Sequence, residues 1–82
     1  MSKYSPDIAK AIRQVPKPYP ITTSVAEHPD FLEIVIFENE IMEFDESKRV
    51  VIMDYLLKVR DVVQLHGVRC ELGGYAGDPP RQ

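Results

Sequence analysis

The chain has 82 residues, enough for one domain, and folding it buries only about 60% of the unfolded chain's surface. A formal net charge of −3 offers no electrostatic footprint for nucleic acid, and a single cysteine excludes an intramolecular disulfide or a cysteine zinc cluster. Hydrophobic and charged fractions of 44% and 28% are those of a globular protein rather than a disordered one.

So small a core makes oligomerisation or a partner a reasonable additional source of stability. No apolar run approaches the roughly 18 residues of a membrane span, and Met1-Ser2-Lys3-Tyr4 begins no signal peptide. The expected location is therefore cytoplasmic, or a virus particle assembled in the cytoplasm.

Ser5-Pro6-Asp7 is a compact helix start: Ser as N-cap, Pro at the first helical position, an acid in the first turn. Ile8, Ile12 and Val15 follow at i, i+4, i+7, and Pro16 ends the segment. A helix of about ten residues is marginal alone in water, so this one needs a surface to dock on. Pro16-Lys17-Pro18-Tyr19-Pro20 favours an extended polyproline-II run. Its P-x-P-x-P spacing departs from the P-x-x-P pattern of proline-binding grooves, so it is better taken as a stiff spacer. Residues 1–20 are thus expected to form an N-terminal arm, able to fold back or to reach another subunit.

Ile21 to Glu27 is enriched in β-branched residues and puts Ile21, Thr23 and Val25 on one face. His28-Pro29-Asp30 is a turn. Phe31 to Phe37 is the strongest strand, with Leu32, Ile34 and Ile36 on one face and Phe31, Val35 and Phe37 on the other, as in a strand covered on both sides. The two strands form an antiparallel hairpin. Ile41-Met42-Glu43-Phe44 resumes the apolar run after Glu38-Asn39-Glu40, and is expected to be a short third strand after a turn or else a bulged continuation of the second.

Asp45 to Gly67 is the longest periodic segment. Asp45 is a good N-cap, Glu46 suits the positive end of the helix dipole, and Gly67 supplies the left-handed residue that commonly closes a helix. Ile52, Leu56, Val59 and Val63, flanked by Tyr55 and Val62, form a stripe for a sheet. Val50, Met53 and Leu57 project elsewhere, as a second, narrower apolar stripe. Either another part of the chain covers it, or it is a partner or oligomer surface.

Val68 to Leu72 alternates, with Val68, Cys70 and Leu72 inward. A strand, helix, strand sequence with short connections implies a right-handed crossover onto one sheet. Residues 73–82 look like a loose tail. The expected fold class is α+β: a small, mostly antiparallel sheet in the element order α-β-β-(β)-α-β, one long helix packed across it, a body over 21–72 and the helical arm before it.

Chemistry-bearing residues are sparse. His66 ends the long helix and His28 sits in a turn, neither with a His or Cys at ligand spacing or an identifiable nucleophile. Cys70 is a small buried hydrophobe. The acids Glu38, Glu40, Glu43, Asp45 and Glu46 lack the glycine turn of a calcium loop, so they are a solvated rim or a docking edge for a basic surface. Gly73, Gly74 and Gly77 lack the Lys-Ser/Thr element and following helix of a phosphate loop.

These features point away from an enzyme and imply no cofactor or metal. The expectation is a non-catalytic protein-interaction or assembly module, self-associating or a subunit of a larger complex, with no nucleic-acid or membrane partner. Its contacts would come from Ile8, Ile12 and Val15 on the arm, from Val50, Met53 and Leu57, and from Glu38, Glu40 and Glu43. Arms exchanged between subunits would suit the proline spacer, and a virus or phage particle is one setting for such a chain. The alternative is a small regulatory domain binding a ligand at the helix–sheet or subunit interface.

Overall fold

The computed structural model describes residues 3–78. The elements run α1 (Pro6–Gln14), β1 (Thr23–Glu27), β2 (Leu32–Phe37), α2 (Glu38–Met42), α3 (Glu46–Leu65) and β3 (Cys70–Tyr75). Helix α3 begins as its sequence dictates. The Asp45 side chain accepts from the Lys48 amide at 3.0 Å, and Ser47 Oγ donates to the same carboxylate at 2.9 Å. At the other end Gly67 adopts φ +80°, the left-handed conformation that glycine enters without a Cβ penalty.

The cap makes a pH prediction. Its hydrogen bonds, first from the Lys48 backbone and then from Ser47, hold the Asp45 carboxyl below its ordinary value of 3.8. A depressed carboxylate contributes stability that is present above 3.8 and is lost as pH falls through its folded value. Asn caps a helix about as well but does not titrate. Asp45→Asn is therefore expected to match the parent near neutrality and to show a shallower loss of thermal midpoint below pH 4, measured by circular dichroism.

The α+β class is as expected: a three-stranded sheet carries the long helix on one face. Strand order is β1-β2-β3. β1 and β2 pair antiparallel, Val25 opposite Ile34, while β2 and β3 pair parallel, Leu32 beside Cys70 and Ile34 beside Leu72. The sheet is thus mixed, one ladder of each kind, because α3 carries the chain back before β3 is laid down. Ile52, Leu56, Val59 and Val63 are buried against Leu32, Ile34 and Cys70, so the stripe at i, i+4, i+7, i+11 is the core face.

Two segments differ from expectation. Residues 41–44 are not a third strand: α2 covers Glu38–Met42, and a turn through Glu43 and Phe44 leads into α3. Ile41 and Phe44 pack on the core while Met42 and Glu43 are exposed. That i, i+3 spacing is helical, and Glu38 and Glu40 fall in the first turn, where the dipole favours acids. Nor are residues 73–75 tail. They extend β3 to Tyr75, because Gly73 lets the Glu33 side chain lie directly over it; a Cβ there would overlap that carboxylate. Residues 79–82 lie outside the described part of the chain.

The arm lies on its own chain. Ile8 is 3% exposed and belongs to the core, with Ile12, Val15, Tyr4 and Tyr19 packed around it. The proline run follows the same helix: Pro16 and Pro18 share a cavity wall with Val51, Asp54, Tyr55 and Lys58, and the Tyr19 ring lies 5.5 Å from that of Phe44. The arm takes the flank of α3 formed by Tyr55, Lys58, Val62 and Leu65, not the Val50, Met53 and Leu57 flank.

Candidate functional site: the outer row of α3 and the open edge of β3

With α1 on one flank of α3, the opposite flank is left to solvent. Val50 is 65% and Met53 46% exposed, and Leu57 is half-buried. Met53, Leu57, Arg60 and Gln64 recur at i, i+4, i+7, i+11, hence form one row along the helix. Met42, 66% exposed, extends the apolar surface at its beginning, where Arg49 Nη1 lies 3.5 Å from Met42 Sδ.

The far end of the row reaches the sheet edge. Arg60 and Gln64 line a groove of about 450 Å³ with Arg69, Cys70, Glu71 and Leu72. Gln64 Nε2 donates to the Cys70 carbonyl at 3.4 Å. Arg60 makes a loose ion pair with Asp61 at 3.7 Å, and its buried Nε–H finds no hydrogen-bond partner among the described residues, a costly condition for a polar group. Since β2 and β3 are parallel, α3 runs back against β3. The apolar part of the row therefore lies alongside the later residues of that strand.

Among the described residues β3 is an edge strand, with β2 on one side only. The Leu32 amide donates to the Arg69 carbonyl at 2.9 Å, which turns the backbone groups of Arg69, Glu71 and Gly73 toward β2 and those of Cys70, Leu72 and Gly74 outward. Edge strands are usually blunted by lysine, proline, a bulge or a cover. Cys-Glu-Leu-Gly-Gly-Tyr carries no lysine or proline. The other edge differs, since α1 and the proline run share a cavity with Thr23 of β1.

The acids behave differently from a free docking edge. Glu40 accepts from both the amide and the hydroxyl of Thr22, tying α2 to the start of β1. The Glu38 side chain lies against Gly74. Glu43 is exposed in the turn before α3. Glu38 and Glu40 are both in α2, and residues two apart on a helix do not face each other.

His28 has a partner that the sequence did not reveal. Its Nε2 lies 2.8 Å from Glu33 Oε1, its ring stacks on Phe31 at 4.5 Å, and Tyr75 Oη donates to the same Glu33 oxygen at 3.4 Å. The Arg69 guanidinium sits 5.5 Å over the other partner of that stack, Phe31. This cluster braces the hairpin turn, β2 and β3 to one another on the face away from α3. Cys70 points to the opposite face, where burial pushes its thiol up despite the Arg60 guanidinium, so it stays protonated and inert. His66 is exposed at the end of α3.

Among the described residues, no group of three His, Cys, Asp or Glu side chains is placed to hold a metal ion, and no helix is long and apolar enough to cross a membrane. Comparison with protein-family models, with curated proteins and with solved structures finds no match to this chain.

Proposed function

We propose that this chain is a non-catalytic assembly module that associates with a second copy of itself through the outer row of α3 and the neighbouring edge of β3. The observation that carries this is the coincidence of two uncovered features on one side of the molecule. Met42, Val50, Met53 and Leu57 form an apolar surface next to the side of β3 that has no neighbouring strand among the described residues. Either alone is ordinary for a monomer. Together they offer side-chain burial and backbone hydrogen bonds to the same partner. Two of the residues are methionines, whose flexible side chains adapt to a partner's surface.

The test is the double variant Val50→Glu, Met53→Glu. Glu is a better helix former than Val and both sites are exposed, so α3 should keep its helical signal. Four like charges brought together across an interface disfavour it strongly. The variant is expected to run as a monomer by light scattering at concentrations where the parent is dimeric, with dimer affinity reduced at least 100-fold. A variant that retains the parent's mass contradicts the proposal.

The ligand-binding alternative draws on a different feature. A cleft of about 470 Å³ between α1 and α3 is lined by Ala11, Val15, Val62 and Leu65, within the range of small-molecule sites. A rise in melting temperature with a small apolar compound, unaffected by the double variant, would favour it.

A further inference from the structure

We infer that the cleft where the arm passes Tyr55 binds a small carboxylate carried on an apolar body, an alkyl or aryl acid. The cleft has a volume of about 420 Å³ and lies between the end of α1, the proline run, the start of β1 and α3. It shares only Val15 and Pro16 with the cleft at Val62 and Leu65. The site does not depend on self-association, since it belongs to the arm's flank of α3.

The cations of this cleft are unspent. The chain is net negative, yet residues 8–26 contain Lys10, Arg13 and Lys17 and no acid. Arg13 and Lys17 both line the cleft, and no acid lines it. Neither makes an ion pair among the described residues. Lys17 Nζ donates to the Ile21 carbonyl at 2.9 Å, which restrains the ammonium and leaves the rest of its N–H groups to donate. Asp54 lines the neighbouring cleft at Pro18 and is already taken by Lys58 at 3.0 Å.

Tyr55 points to the same ligand by a different route. It is 5% exposed, and its hydroxyl has no hydrogen-bond partner among the described residues, although a buried tyrosine usually finds one. The oxygen is not sealed in, since Arg60 Nε alone is both sealed and unpartnered among the described residues. The surfaces beside Tyr55 are this cleft and its neighbour across Pro16. Burial raises the phenol above its ordinary value of 10.0, so it donates throughout the neutral range. Arg13 adds a planar fork matched to a carboxylate. Ile12 and Val15 supply an apolar wall, which an alkyl or aryl body covers and acetate or inorganic phosphate leaves bare. A few convergent donors on an apolar lining is the composition of a small-molecule site.

Octanoate is the probe, compared with octanol, acetate and inorganic phosphate, each titrated into the isotope-labelled full chain and followed by amide NMR shifts. Octanoate should bind one to one with a dissociation constant below about 1 mM, and about tenfold or more tighter than the other three. The shifts should centre on Arg13, Lys17, Thr23 and Tyr55. Arg13→Gln should weaken binding about tenfold or more. Tyr55→Phe should weaken it about threefold or more, with a melting temperature within about 2 °C of the parent's, because the hydroxyl serves no protein group. The Val50→Glu, Met53→Glu variant should bind octanoate as the parent does.

Octanol binding as tightly as octanoate, or shifts centred on Val62 and Leu65, overturns the carboxylate site. Acetate or phosphate binding as tightly overturns the apolar body. Parental affinity in Arg13→Gln and Tyr55→Phe overturns the assigned donors. No saturable shift by about 10 mM octanoate overturns the inference outright.

Discussion

Leu56→Ala is expected to lower the free energy of unfolding by about 3 kcal/mol, the middle of the range for large-to-small changes in a packed core. Leu56 is fully buried at the centre of the stripe that α3 lays on the sheet, among Ile52, Val59, Val63, Leu32 and Ile34. Removing its side chain loses the transfer free energy of three carbon atoms and opens a cavity that helix and sheet cannot both close. A domain of this length is stable by roughly 4–12 kcal/mol, so the change removes a large share. Leu65, at 86% exposure, is the control: Leu65→Ala should fall within about 0.5 kcal/mol of the parent. Urea unfolding followed by circular dichroism measures both. A Leu56→Ala midpoint equal to the parent's would mean that α3 does not sit on the sheet.

Removing residues 1–20 is expected to have an even larger effect. The segment contributes Ile8 to the core and packs Tyr4, Ile12, Val15 and Tyr19 against it. Full burial of one Ile side chain is worth about 1.5–3 kcal/mol, and the partly buried residues add to this. The total is comparable to the stability of the whole domain. The 21–82 fragment should therefore show no cooperative thermal transition at 25–60 °C, or a midpoint lowered by at least 15 °C. A fragment that melts at the parent's temperature would show that the arm is an appendage to an independent body.

The sequence announced α3 clearly because several signals agreed: an Asp cap, a stripe of one period, a closing glycine. It left the arm's position open for a physical reason. α3 is apolar on two flanks, Tyr55 and Val62 on one and Val50, Met53 and Leu57 on the other, and periodicity alone does not say which is covered. Connectivity decides. The proline run must deliver the chain to β1, which lies on the far side of β2 from β3, so α1 is drawn to the β1 flank and the other remains bare.

Residues 41–44 show the opposite case. Their i, i+3 apolar pair was legible, but three apolar residues in four positions after a strand also suit a short strand, and helix and strand patterns are hard to separate over so short a run. The candidate surface was half legible. Val50, Met53 and Leu57 stand out in the sequence, whereas Met42 joins them only through the α2–α3 turn. The open edge of β3 follows from topology, not from any local pattern. The His28–Glu33–Tyr75 brace likewise depends on strand register, which sets residues far apart in sequence side by side.

Self-recognition is the property on which the proposed function rests. Sedimentation equilibrium of the unsubstituted chain, from low micromolar to millimolar concentration, tests it most directly. The expected result is a mass rising from one copy of 9.4 kDa to a plateau at twice that value, with no larger species. A mass of one copy across the whole range would contradict the account.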